Sequence, residues 1–308
     1  MKKTLLIVIA LALALSLLAA CAAPAAPAAS SAAPSSAAPA SPSAPASEAP
    51  SEAVSASASA SPSESAAAAS DDSLKKIKDK GTFVLGFDDA FKPMGFKDES
   101  GKYVGFDIDM ANEFTKKIGV KLVLQPINWD TKDLELSSGN IDAIWNGFTI
   151  SDEKKQTISF GVPYMNNKQV LVVKSDSSIK TLKDLAGKVI IAQENSAAVD
   201  AINANKDLAS SIKELVKVSD YVKALIELKA GTVDCVAIDE IYARYQITTE
   251  KDNLRILDED LGKEQYGVGF RKADLALTEE WNKVYKQLKD EGIAKTISEK
   301  WFGSDVLL

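Results

Sequence analysis

The chain has 308 residues, 46% of them hydrophobic and 26% charged, with a formal net charge of −7. It contains no histidine, which excludes an imidazole general base, Ser-His or Cys-His nucleophile pairs, and His ligands for zinc or iron. Two cysteines, Cys21 and Cys235, are too few for a cysteine-rich metal site, and the acidic balance argues against a phosphate backbone, so no metal, cofactor or nucleic-acid partner is expected.

Residues 2–20 read KKTLLIVIALALALSLLAA: two lysines, an apolar run, then small residues, the pattern of an export signal peptide over 1–20. The run Leu18-Ala19-Ala20-Cys21 resembles the lipobox of bacterial lipoproteins, whose cysteine is acylated and becomes the new N-terminus. An ordinary secretory signal cut near Ala20 is the alternative, and both readings place the protein outside the cytoplasm. Residues 22–70 contain 22 Ala, 15 Ser and 8 Pro, too little apolar bulk for a core, so 21–70 is expected to be a disordered linker from the lipid anchor. As a coil it would span on the order of 40 Å.

The folded body is expected over 71–308, where short β-rich apolar runs alternate with helical patterns, which argues for an α/β fold with mainly parallel sheets. Strands are predicted at Thr82–Phe87, Lys121–Gln125, Ile141–Ile144, Val170–Val173, Lys188–Ala192, Asp234–Ile238 and Tyr266–Phe270. The spacing of Phe106, Met110, Phe114 and Ile118 predicts a helix over 106–118 that stops at Gly119 and turns its Phe/Met stripe to a core. Leu185 before Gly187 and Leu228 before Gly231 mark two further helix ends. The last helices are predicted from about Asp274 to Gly292 and from about Ile293 to Trp301. Cys235 falls in an apolar strand and is expected to be a buried small hydrophobe.

The run Gly86-Phe87-Asp88-Asp89-Ala90-Phe91-Lys92-Pro93-Met94-Gly95-Phe96, followed by Gly105-Phe106-Asp107-Ile108-Asp109-Met110, resembles the start of polar amino-acid-binding proteins of ABC importers, solute-binding protein family 3. Matches continue in order at Ser138–Ile144, Phe148–Glu153, Leu182–Lys188, Val233–Asp239 and Tyr266–Arg271. The resemblance implies a two-lobe periplasmic-binding-protein-like fold (type II), with two crossing hinge strands and a ligand cleft between the lobes. By that analogy lobe 1 is 71–165 plus 264–308 and lobe 2 is 166–263.

A free amino acid presents a carboxylate, an ammonium and a variable side chain, and a site that excludes water must satisfy both charges. The resemblance assigns the ammonium to Asp239, which sits where open α/β sheets place ligand groups, at the C-terminal end of a strand. The other role open to Asp239 is N-cap of the helix beginning at about Glu240. The resemblance adds the Gly147 carbonyl and the Thr149 hydroxyl, the latter equally compatible with a solvated turn. Where the family carries a carboxylate-binding arginine this chain has Lys154, a point charge without a bidentate fork; a solvated charge run over Glu153-Lys154-Lys155 is the alternative.

Across the cleft, Gln193-Glu194-Asn195-Ser196 precedes a helix beginning near Ala197, whose first N–H groups suit an anion. Asn195 and Ser196 are candidates there for ligand contact or for simple capping. Asp88, Phe91 and Trp129 match positions that contact the ligand side chain in the family, Trp129 beside Phe91 in the lobe core being the other reading. Asp88 and Glu194 near the side-chain end would favour a cationic or donor-rich ligand.

The implied function is an extracytoplasmic substrate-binding lipoprotein, expected as a monomer, that captures a polar amino acid and delivers it to an ABC permease and its ATPase. The competing readings are a ligand sensor acting with a membrane partner and a dehydratase-like enzyme on the same fold. The sequence offers no recognisable activated nucleophile to support the enzyme.

Overall fold

The computed structural model describes residues 71–308; the expected signal peptide 1–20, the lipidation site Cys21 and the linker 21–70 lie outside the described residues. Two sheets organise the body. In the first, Thr82–Phe87 alternates Phe83, Leu85 and Phe87 into the core, all fully buried, and pairs in parallel with Lys121–Pro126 and Ala143–Ile144. Gly269–Arg271 and Ile158–Phe160 complete it, with Gly269–Arg271 antiparallel to both its neighbours.

The second sheet carries Glu214–Val218, Val189–Gln193, Cys235–Asp239, Met165–Lys174 and Leu254–Ile256 in that order, and Gly262–Tyr266 also pairs with Met165–Lys174. Its first three strands are parallel, whereas Met165–Lys174 is antiparallel to every neighbour. The sheets are therefore mixed rather than mainly parallel. The reason is the connection between lobes: the chain leaves the first sheet at Phe160, enters the second at Met165 and returns at Tyr266, so the outgoing and returning strands run in opposite directions, with Met165 opposite Tyr266.

The expected strand Tyr266–Phe270 accordingly divides into Gly262–Tyr266 in the second sheet and Gly269–Arg271 in the first. The helix over 106–118 forms with those bounds, and Gly119 ends it at φ 77° with its N–H donating to the carbonyls of Thr115 and Lys116. Its buried face supplies Phe114, whose ring lies 5.3 Å from Phe83 and 5.5 Å from Trp281 of the helix Leu275–Asp290. Each such aromatic, fully buried, contributes about 2–3 kcal/mol of transfer free energy, which fixes this helix against the strand that ends at the cleft.

Around Gly187 the expected helix is a 3-10 turn, Leu182–Leu185. Ile141–Ile144 shortens to Ala143–Ile144; just before it the Asp142 N–H donates to the Val84 carbonyl at 2.7 Å, while its carboxylate accepts from the Val84 N–H and from Lys80, each at 2.7 Å.

Candidate ligand-binding site

The strands Thr82–Phe87 and Val189–Gln193 both end toward a cavity of about 250 Å³ between the two sheets. Its lining contains all nine residues singled out from the sequence: Asp88, Phe91, Trp129, Gly147, Thr149, Lys154, Asn195, Ser196 and Asp239. Drug-sized ligands occupy pockets of about 300–1,000 Å³, so this space suits a smaller molecule.

Asp239 is the N-cap residue of the helix Glu240–Thr248, yet its carboxylate makes no capping hydrogen bond. It accepts instead from Tyr266 Oη at 2.6 Å, Asn167 Nδ2 at 2.8 Å and Gln169 Nε2 at 2.8 Å. Burial and the neighbouring charge of Glu264 hold its carboxyl well above the usual carboxylate range.

The loop after Ala143–Ile144 is fixed from beneath by Asp107. This fully buried carboxylate accepts from the Gly147 N–H at 2.8 Å, Trp145 Nε1 at 2.9 Å and Tyr164 Oη at 3.1 Å. Burial pushes it up to about 7 despite the three donors. Gly147 sits at φ 59°, and a Cβ there would lie 3.0 Å from the Phe91 ring and 3.1 Å from Tyr266. Thr149 is no solvated turn hydroxyl, since it donates to Glu264 Oε1 at 3.0 Å.

Lys154 lines the cavity with its charge already paired: Nζ lies 2.6 Å from Asp133 Oδ2. A second lysine, Lys132, reaches the same cavity while almost wholly buried. It donates to the Trp129 carbonyl at 3.2 Å and the Asn195 carbonyl at 2.7 Å, and it stands 5.0 Å from the centre of the Trp129 ring. Burial pulls its ammonium down to about 8.

Ser196 caps the helix Ala197–Ala204, its hydroxyl accepting from the Val199 N–H at 3.4 Å. Asn195 takes a left-handed backbone, φ 53°, and donates from Nδ2 to the Asp130 carbonyl at 2.9 Å. Glu194, by contrast, is exposed and absent from the lining, which leaves Asp88 as the carboxylate expected near the ligand side chain. Asp88 accepts from Gln193 Nε2 at 2.6 Å and the Ala90 N–H at 2.9 Å, and burial pushes it up to about 6.

Trp129 and Phe91 are not neighbours in one lobe core. Trp129 packs edge-on against Phe148 at 5.8 Å, while Phe91 meets Tyr221 and Tyr242 of the other lobe at 5.9 and 5.4 Å. With the Lys132 and Asn195 bonds and the Lys92–Glu250 ion pair at 2.8 Å, the Phe91 contacts close the two lobes over the cavity.

Two residues escaped the sequence reading. Lys132 opens a short helix in a charged stretch, and Glu264 sits in a strand whose neighbours are Lys263 and Gln265, so neither carried a local signal. Pairing with the strand Met165–Lys174 brings Glu264 to the cavity, and Lys132 reaches it one turn after Trp129, across from Asn195.

A two-lobed α/β protein with a cavity at strand ends, lined by both lobes, belongs to the type II periplasmic-binding architecture. The family model for bacterial extracellular solute-binding proteins, family 3, matches residues 83–304, and the chain belongs to that family. An L-cystine-binding protein of Escherichia coli is 30% identical over 242 residues, covering 77% of this chain and 89% of that protein. A glutamine-binding protein of Geobacillus stearothermophilus is 34% identical over 209 residues, covering 66% and 78%. A substrate-binding protein of an ABC uptake transporter from Streptococcus pneumoniae, solved with bound histidine, aligns at a TM-score of 0.75 and 38% identity, covering 77% of this chain and 98% of that one.

Proposed function

We propose that this protein captures a polar α-amino acid in the cleft and presents it to an ABC permease and its ATPase. The observation that carries the reading is Asp239, a buried carboxylate held among Asn167, Gln169 and Tyr266 on the lining of a cavity of about 250 Å³. An ammonium placed there neutralises a charge that burial otherwise penalises. Gly147 and Thr149 complete that end. Lys154, released from Asp133, and the first N–H groups of the helix Ala197–Ala204 take the carboxylate.

Asp88, Phe91 and Trp129 face the ligand side chain, and the Asp88 carboxylate favours a side chain rich in donors. Relatives that bind cystine, glutamine and histidine fit such a ligand range. In this reading lobe 1 is 71–165 with 264–308, lobe 2 is 166–263, and ligand stabilises closure by touching both. The receptor works as a monomer, tethered outside the cytoplasm by a lipid on Cys21.

A thermal-shift screen against the amino acids, with sugars and short peptides as controls, tests the reading, because a ligand that binds only the folded state raises the melting temperature. A rise confined to one or a few α-amino acids is expected. A rise with sugars alone, or with no amino acid, would overturn it.

A further inference from the structure

The strand Met165–Lys174 lies between the strands that carry Asp239 and Glu264: Gln169 stands opposite Asp239 on one edge, and Asn167 opposite Glu264 on the other. Asn167 and Gln169 are two residues apart and so share one face of the sheet. Each bridges the two carboxylates. Asn167 Nδ2 donates to Asp239 Oδ1 at 2.8 Å and Glu264 Oε1 at 2.6 Å, and Gln169 Nε2 donates to the same oxygens at 2.8 and 2.9 Å. Both carboxylates line the cavity.

Two carboxylates this close share two amide donors with no buried cation between them, and both cannot remain ionised at low cost. We propose that Glu264 is a second counter-ion for the ligand's ammonium, and that Asp239 and Glu264 hold one proton between them until the ammonium enters and sends that proton to solvent. The inference rests on the amino-acid reading above and assigns Glu264 a part in setting specificity for an ammonium-bearing ligand.

The charged and titratable groups around the pair are few. Tyr266 donates to Asp239, and Thr149 donates to Glu264. Tyr221 is buried with an unpartnered hydroxyl, and burial and the Asp239 charge hold it far above its usual range. Lys263, beside Glu264, is exposed but lines the same cavity, as do Lys132, Lys154 and Asp200; Lys168 on the central strand is paired with Asp260, and Glu240 after Asp239 is paired with Arg244. Asp88, across the cavity, and Asp107, beneath the Gly147 loop, are further carboxylates that change charge near neutrality, at about 6 and about 7, so each result at pH 7 is read as the difference between wild type and Glu264→Gln, which keeps both.

L-Glutamine, L-arginine and L-cystine are titrated calorimetrically into the whole chain at pH 7 in buffers of different ionisation heat. The tightest binder is then repeated with Glu264→Gln. About one proton released per ligand by wild type, falling toward zero in Glu264→Gln with affinity weakened at least tenfold, is the expected result. Binding without proton release, or release and affinity unchanged in Glu264→Gln, would overturn the inference while leaving the amino-acid reading intact.

Infrared difference spectra of the ligand-free proteins supply an arm that needs no ligand. A protonated-carboxyl band in wild type beyond the one that Asp107 leaves in all three proteins, lost in both Glu264→Gln and Asp239→Asn, is expected, and identical bands in wild type and Glu264→Gln would overturn the shared proton. Failure of all three amino acids to bind would instead count against the amino-acid reading, and thermal melts of each variant separate lost binding from lost folding.

Discussion

Gln193 donates its side-chain amide to Asp88 at 2.6 Å, joining the end of a strand in the second sheet to the end of a strand in the first. The bond spans the cleft, and Asp88 is otherwise served by the Ala90 N–H. Part of the closed arrangement is therefore supplied by the protein's own side chains, with the ligand adding contacts to both lobes.

Removing that donor should open the cleft. A hydrogen bond to a charged group contributes about 1.5–3 kcal/mol, so Gln193→Ala should weaken amino-acid binding about tenfold or more. Small-angle scattering should show the ligand-free variant more expanded than wild type. Equal affinity and equal dimensions would remove this bond from the closure mechanism.

Asp107 makes stability depend on pH in a direction opposite to that of a salt-bridged carboxylate. The unfolded chain ionises it near 3.8 and the folded protein at about 7, so between those values the folded state holds the extra proton. Its contribution to stability is greatest below about pH 4, declines as pH rises, and levels off above about pH 7. Urea unfolding of wild type against Asp107→Asn should therefore show an advantage for wild type that is largest near pH 4 and narrows toward pH 8. A widening advantage would contradict the burial argument.

Gly147→Ala should be costly for two reasons acting together. Its φ of 59° penalises any side chain, and the added Cβ would press on Phe91 and Tyr266 at 3.0–3.1 Å. A stability loss of about 1–2 kcal/mol is expected, accompanied by weaker ligand binding because Phe91 lines the cavity and Tyr266 holds Asp239. Calorimetric titration alongside chemical denaturation checks both parts.

The Cys235 thiol is fully buried, and burial raises it far above the range in which thiolate forms. A chromogenic disulfide reagent should leave it unmodified in the folded protein and label it completely once the chain is unfolded. Rapid labelling under native conditions would show that the strand Cys235–Asp239 opens readily.

What could be read from residue order follows the strength of local pattern. The helix Phe106–Ile118 was legible to the residue, because a four-residue apolar stripe and a terminal glycine agree. Glu214–Val218 was not, since this edge strand interleaves charged residues with half-buried ones and never forms an apolar run. The three-stranded sheet of Ala90–Phe91, Gly95–Lys97 and Tyr103–Val104 was missed because strands of two or three residues leave no period to detect. The nine candidate residues came from the family resemblance, and all of them line one cavity. Glu264 and Lys132 were invisible because strand register and lobe closure, which are tertiary facts, create their contacts.

The most direct test of the central claim is a calorimetric titration of wild type and Asp239→Asn with the amino acid that gives the largest thermal shift. Unpairing a buried charge typically costs about 2–5 kcal/mol, so the variant should bind roughly 30-fold more weakly or not measurably, while still folding. Equal affinity in the two proteins would show that the ammonium does not sit at Asp239, and would contradict this account of the cleft.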